Sequence, residues 1–421
     1  MRDVELYRYV LGLQTPWTVS RVDLSVTEQR VDVWAEHADE SRWPCPECGR
    51  ELGLYDHAEE RAWRHLDTCQ FVTYLHARPP RVACPAHGVR QVRVPWAEPH
   101  ARFTLLFERF AIDVLKECDI RGATRILRIS WDEAWHLMER AVARGQRAKA
   151  PRVPTCLGVD EKAAAKGHRY LTLVCDLQDA TVEYIADDRK QASLDRYFET
   201  LTPDQRASIQ AIAMDMWEPY VQSVLTHVPE GATKMVFDRY HIMSHMGNAV
   251  DDVRKREHRV LREDGDEVLA GSKYVWLYAG PNVPEKHQSR LLGLLQRPLK
   301  TARAWAIKES LRDLWQYHRL GWATAYWTRW YFWATHSRLE PVIKVAKMLK
   351  RHLRNVLSYF AHRITNAVSE GLNSKIQTIK KMAYGFRNLD HFKTAIYFHC
   401  GGLQLYPADP AAAPATHGNP G

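Results

Sequence analysis

Three carboxylates stand out for their settings: Asp160 in CLGVDEK, Asp215 in IQAIAMDMW and Glu370 in NAVSEGLNSKIQ. The first two close apolar runs with the character of buried strands, and the third lies in a helical stretch rich in cations. A carboxylate at the end of a buried strand is costly unless a cation compensates it. Two hard cations held about 3.5–4 Å apart by such groups activate a water or a 3′-hydroxyl and stabilise the leaving oxygen of an in-line phosphoryl displacement. The expected chemistry is therefore cleavage and transfer of phosphodiesters at a two-metal Mg2+ or Mn2+ site. Asp176 and Asp187 also end strand-like runs but lack a matching context, and are assigned to turns.

A second set of residues has metal-ligand spacing. Cys45 and Cys48 form CPEC before Gly49, and Cys84 and His87 form CPAH before Gly88. Two such knuckles supply the four ligands of a closed, structural Zn2+ site, whose binding energy lets a small β-rich module fold without a large core. His57, His65 and Cys69 are conceivable substitutes but have no knuckle partner. The other cysteines, Cys118, Cys156, Cys175 and Cys400, are scattered, which suits an intracellular protein better than a disulfide-bonded secreted one.

The elements that must position these groups follow from periodicity. Up to about residue 100, runs such as VDVWAEH, FVTYLHA and RQVRVPW alternate with Pro and Cys turns, giving a β-rich zinc module over 1–100. Over 101–150 the pattern is helical: FTLLFERFAIDVLKE is amphipathic, a short helix adjoins a turn at Gly122, and a further helix opens at Ser130 and runs to Gly145. This spacing suits a helix-turn-helix, with Arg125, Arg128, Arg140, Arg144 and Arg147 toward phosphates and Trp131, Asp132 or His136 toward base edges. A basic, Pro-punctuated linker follows.

From Thr155 strands and helices alternate. TCLGVDE, YLTLVCDL and TVEYIAD precede the helix QASLDRYFETL, the strand SIQAIAMD, the helix EPYVQSVLTHV and the strand TKMVFD. That order matches a ribonuclease H-like core, in which the first and fourth strands are neighbours and bring Asp160 beside Asp215. The fold class is thus multi-domain, α+β and α/β: zinc module, helix-turn-helix, core over 151–243, an all-α insertion over 244–362, and last core helices with Glu370 over 363–405. Residues 406–421 are expected to be a disordered tail. Trp305, Trp315, Trp322, Trp327, Trp330 and Trp333 crowd the insertion, where core packing is the leading expectation. Trp217 is placed to wall the site or stack on a base.

On the helix carrying Glu370, the residues Leu372, Ile376, Ile379 and Ala383 form the apolar stripe. Glu370, Asn373, Gln377 and Lys380 fall on another face, with Asn373, Lys375, Lys380 and Lys381 expected near DNA. The formal charge is +9. Residues 341–395 hold eleven Lys and Arg against Glu370 and Asp390, so this stretch carries an excess as large as the whole chain's. A polyanionic partner is implied. The start MRDVELYRYV lacks a signal-peptide core and no stretch is apolar enough to span a bilayer, so a cytoplasmic protein without a membrane is expected.

Together the finger, the helix-turn-helix, LGVDEKAAAKGHRY, AIAMDMWEPY, VFDRYH and VSEGLNSKIQTIKK resemble bacterial insertion-sequence transposases of the DDE class, most closely the ISL-three group. The resemblance implies binding of terminal inverted repeats and target DNA by a homodimer or higher multimer at the nucleoid, with Asp160, Asp215 and Glu370 as catalytic acids. Asp238 and His241 are similar to a D-x-x-H signature that supports the site or touches flanking DNA. A repressor or inactive copy that grips its ends without cutting is the alternative, and a nuclease without joining would use the same acids. The repeat sequence, target preference, hairpin or circle intermediate and subunit number are not legible.

Overall fold

The computed structural model describes residues 3–150, 152, 154–165 and 169–408, in two compact units. One is drawn from residues 1–150, 397–399 and 403–421, the other from 151–396 and 400–402.

The first unit opens with α1 (Asp3–Val10), followed by the strands β1 (Trp17–Ser25), β2 (Arg30–His37), β3 (Trp43–Pro44), β4 (Glu51–Leu52), β5 (Asp56–His57), β6 (Arg61–Thr68), β7 (Phe71–Ala77), β8 (Pro80–Cys84) and β9 (Gly88–Gln91). Every second residue of β2 from Val31 to Ala35 is buried, as is every second residue of β7 from Thr73 to Ala77, and these strands pair in parallel inside the sheet β1-β2-β7-β6. Such alternation is what one covered face requires. Trp17, Trp43, Trp63 and Trp96 fill the core, with the Trp17 and Trp96 rings edge to face at 4.8 Å. Of the expected strand RQVRVPW only the first two residues join β9.

Helices α2 (Leu105–Glu117), α3 (Ile120–Leu127) and α4 (Trp131–Ala148) complete this unit. Ser130 and Glu133 form a capping box that starts α4 as expected. Two details differ. Gly122 lies inside α3, where its amide bonds to the Asp119 cap at 2.6 Å; the turn is instead at Arg128, in the left-handed region at φ 54°. Gly145 does not end α4, which continues to Ala148; a Cβ on Gly145 would meet Leu403 at 2.7 Å. Its lack of a side chain admits residues 403–404. The expected tail is also ordered at its start: the Tyr406 hydroxyl donates to Asp113 at 2.6 Å and accepts from Lys116 at 2.9 Å, while residues 409–421 lie outside the described set.

In the second unit, β10 (Cys156–Ala165), β11 (Arg169–Asp176) and β12 (Thr181–Ala186) form an antiparallel meander. Then come α5 (Gln191–Glu199), the unforeseen short α6 (Pro203–Ser208), β13 (Ala211–Met214), α7 (Glu218–His227), α8 (Gly231–Lys234) and β14 (Met235–Phe237). The sheet order is β12-β11-β10-β13-β14, with β10, β13 and β14 parallel. Leu157, Val159, Ile212 and Met214 are fully buried, sharing a core with Phe198 and Val224.

Every α-helix from α9 (Arg239–Glu263) through α10 (Lys273–Leu277), α11 (Glu285–Leu295), α12 (Lys300–Arg312), α13 (Leu320–Thr335), α14 (Glu340–Arg351), α15 (Leu353–Leu357) and α16 (Tyr359–His362) precedes the site helix α17 (Ala367–Met382) and α18 (Leu389–Cys400), with no strand between. The expected boundary at 243/244 falls within α9, whose Ile242, Met246 and Val250 belong to the same core as the sheet. Trp315, Trp327 and Trp330 are buried in the core and Trp305 packs against that core, whereas Trp322 and Trp333 are exposed. No helix among the described residues is long and apolar enough to cross a membrane.

Candidate active site and metal centre

Register places the first two acids. Val159, Met214 and Phe237 form one row across β10, β13 and β14, and each is followed by an aspartate: Asp160, Asp215 and Asp238. The Asp238 amide continues the ladder by donating to the Met214 carbonyl at 2.9 Å. Parallel neighbours lie about 4.8 Å apart, so three carboxylates emerge together one residue past this row: Asp215 and Asp238 just beyond the ends of β13 and β14, and Asp160 within β10, which does not end there as expected but continues along β11 to Ala165.

Their partners are few. Asp160 accepts the Glu161 amide at 2.7 Å and the Asn373 amide group at 2.6 Å, and Asp215 accepts the Met216 amide at 2.6 Å. Asp238 caps α9, accepting the Tyr240 amide at 3.1 Å. His241 lies between two acids, with Nδ1 3.4 Å from Asp215 and Nε2 3.8 Å from Asp238. Burial, reinforced by the neighbouring carboxylates, pushes the Asp160 and Asp238 carboxyls above the usual range, although backbone amides and His241 oppose it.

Glu370 is in the first turn of α17 and exposed. Its carboxyl is also raised, by partial burial and then by Asp238, against His241 and Arg239. Glu370 does not join Asp160 and Asp215 in a group whose ligand atoms all lie within 4.8 Å of one another. Mutual repulsion of three carboxylates opposes such closure.

This donor set fits a hard divalent cation. All the groups are carboxylate oxygens, and Asp238 Oδ2 is buried without a hydrogen-bond partner. The Trp217 indole donates to the Arg189 carbonyl at 3.0 Å, and the Arg189 guanidinium lies between the Trp217 and Tyr170 rings, 4.8 and 4.6 Å from their centroids, and 3.4 Å from Glu161. Trp217 is therefore already stacked on a cation.

Near the acids, Gly158 is an unforeseen position with a legible signal, and Asn373, expected near DNA, meets a different partner. Gly158 interrupts a strand, which marks a close backbone approach: a Cβ there would collide with Ser369 and Leu177 and come within 3.0 Å of Asn366 Oδ1. Asn373 follows Glu370 by three on the same helix face, and it turns toward Asp160 instead of solvent. Lys380 likewise donates to the Ala163 carbonyl at 2.9 Å, whereas Lys381 remains exposed. Lys375 is exposed and engaged in an interaction of its own.

In the first unit, Cys45, Cys48, Cys84 and His87 are the one group of potential ligands among the described residues whose atoms all lie within 4.8 Å. The Cys48–Cys84 sulfurs are 3.7 Å apart, and His87 Nδ1 is 3.4 Å from Cys84 and 3.8 Å from Cys45. A tetrahedron with Zn–S of about 2.3 Å has edges of roughly that length. Gly49 and Gly88, at φ 71° and 69°, close the two knuckles. Burial raises the Cys84 thiol, but the Ala86 amide and His87 outweigh it and bring it down to about 6, toward the thiolate that zinc takes. His65 is no substitute ligand, being buried against Thr104 at 2.9 Å; His57 contacts His37 at 2.9 Å.

The helix-turn-helix arginines separate into two groups. Arg125 and Arg147 are exposed, and Arg128 bonds to the Gln70 carbonyl at 2.7 Å while staying partly accessible. Arg140 and Arg144 are not free for phosphate. Arg140 pairs with Glu98 and Glu108 at 2.9 Å, and Arg144 with the same two at 2.8 and 2.7 Å. Trp131, Asp132 and His136 are exposed at the start of α4.

Comparison with known proteins gives three consecutive matches. A zinc-finger model of transposases IS204/IS1001/IS1096/IS1165 covers residues 41–87, a helix-turn-helix model of transposase family ISL3 covers 92–142, and an ISL3 DDE transposase model covers 157–396, more than half of the chain. The chain is similar to the transposase for insertion sequence element IS1001 of Bordetella parapertussis, 27% identical over 352 residues, covering 83% of this chain and 86% of the relative. It is also similar to the transposase for insertion sequence element IS1557 of Mycobacterium tuberculosis, 25% identical over 418 residues, with 92% and 93% covered.

Proposed function

The chain belongs to the ISL3 family of insertion-sequence transposases, enzymes that cut and join DNA, and we propose that Asp160, Asp215 and Glu370 are its catalytic acids. The observation that carries this reading is the row Val159, Met214 and Phe237 across three parallel strands, each followed by an aspartate. The sheet order 3-2-1-4-5 supports a ribonuclease H-like core, and the helices between β14 and α17 support an all-α insertion. Both are our reading of the architecture.

In this reading Asp160 and Asp215 hold divalent cations, with Glu370 closing the site from α17 and Mg2+ or Mn2+ the expected ions. Such ions, when bound, polarise the scissile phosphate and lower the pKa of the attacking oxygen. The chain's own residues do the rest. His241 lies between Asp215 and Asp238 and offers a ring nitrogen to each. The β10 and β13 backbones fix the spacing of the two acids, and the cations of α17 that remain exposed attract the DNA backbone. DNA is bound through the helix-turn-helix, for which Arg125, Arg128, Arg147 and the start of α4 are the proposed contacts. Terminal inverted repeats and target DNA as the two substrates, and a multimer bridging them, complete the proposal.

The test is a labelled donor carrying the element's ends, a target plasmid, and Mg2+ or Mn2+. Asp215→Ala and Glu370→Ala are expected to bind ends with wild-type affinity and yield neither cleaved nor joined product. Cleavage surviving in Asp215→Ala would rule out the assignment.

A further inference from the structure

Beyond the three acids, the structure holds a contact that ties two of them together. Asn373 Nδ2 donates to Asp160 Oδ2 at 2.6 Å, and Asn373 lies one helical turn after Glu370 on α17. The opposite amide orientation would set Oδ1 against a carboxylate oxygen, so the donor must face Asp160. Helix α17 is clamped twice more to β10: Lys162 Nζ donates to the Asn373 carbonyl at 2.8 Å and, two turns further on, Lys380 Nζ donates to the Ala163 carbonyl at 2.9 Å. Below these contacts Gly158 lets Ser369 and Asn366 lie directly against β10.

We propose that Asn373 is a positioning residue that fixes the Asp160 carboxylate for cation binding and couples its orientation to the helix that delivers Glu370. One oxygen of Asp160 is held by the Glu161 amide and the other by Asn373, so rotation of the carboxylate is arrested. Each oxygen has a second lone-pair direction, which leaves room for a cation on both. Groups that orient a metal ligand in this way set affinity without touching the ion, and their loss typically costs about 10- to 100-fold in metal binding. Asn373 thus acts on Asp160, and DNA contact is not its role.

This inference rests on Asp160 being a metal ligand, and the experiment separates the two claims. Full-length, zinc-loaded protein is titrated with Mn2+ alone by calorimetry, comparing wild type, Asp160→Asn, Asn373→Leu and Asn373→Ala. The alanine variant serves if leucine disturbs the helix. Asn373 variants are expected to bind Mn2+ roughly 10- to 100-fold more weakly, with unchanged thermal midpoint and DNA-end affinity. Their donor cleavage should need proportionately more Mn2+. Mn2+ affinity within about threefold of wild type, well short of that range, in both Asn373 variants while Asp160→Asn abolishes binding would overturn the positioning role alone. Unchanged binding in Asp160→Asn would overturn the acid site and this inference together.

Discussion

Gly158 has no room for a side chain because Ser369, on the helix that carries Glu370, lies directly against it. A strand position two residues before Asp160 thereby sets how closely α17 approaches the acids. Leu177 and Asn366 close the same space, so the approach is confined on three sides. Gly158→Ala is expected to destabilise the second unit by about 2 kcal/mol through overpacking, and to reduce cleavage more than DNA-end binding. Denaturant unfolding and a cleavage assay check it; full activity in a stable alanine variant would show that α17 can shift without consequence.

The arginines of α3 and α4 predict opposite phenotypes. Glu108 is buried between Arg140 and Arg144, and burial raises its carboxyl despite both guanidinium groups. Removing Arg144 as Arg144→Met leaves a buried charge short of a partner, at an expected loss of about 3 kcal/mol, with little change in the salt dependence of DNA binding. Arg125→Ala should leave stability alone and reduce the slope of log affinity against log salt by about 1. Thermal melts and salt titrations decide; a reduced slope in Arg144→Met would return that residue to the DNA surface.

His65 makes the first unit acid-sensitive. Burial, with Arg64 beside it, lowers its pKa to about 4 from an ordinary 6.5. Between those values the unfolded chain takes up a proton that the folded state refuses, so stability falls as pH drops from 6.5 toward 4. At about 1.4 kcal/mol per unit, the full effect approaches roughly 3 kcal/mol. His65→Gln should flatten this part of the stability profile, measured by chemical denaturation at a series of pH values. An unchanged slope would place the acid sensitivity on other groups.

Zinc loss should act locally first. Cys45→Ser with Cys84→Ser removes two of four ligands, and the short pairs β3–β4 and β8–β9 that flank the knuckles have little core of their own. The variant is expected to retain no zinc by elemental analysis and to be cut by protease near residues 43–52 and 80–91. Wild-type zinc content in the double variant would dismiss this ligand set.

Much of the architecture was legible before any coordinates, because it follows from interactions between residues only a few positions apart. Alternation in VDVWAEH and FVTYLHA, the Ser130–Glu133 capping box, the two knuckles, and the order of strands and helices after Thr155 are of this kind. The placement of Asp160 beside Asp215 was also inferable, once strand order was assumed. What needed the tertiary structure was every question of which distant group a side chain meets. The row that adds Asp238 to the other aspartates is a matter of register across three strands. Arg140 and Arg144 look like DNA contacts in sequence, and Glu98 and Glu108 neutralise them. Asn373 reads as a polar surface position, and its helix turns it onto Asp160. The turn before α4 uses Arg128 in a left-handed conformation where Gly122 had seemed the natural hinge. Local periodicity and capping specify elements; the partners of charged and polar groups are set by long-range packing, because burial and electrostatics depend on neighbours that sequence distance does not reveal.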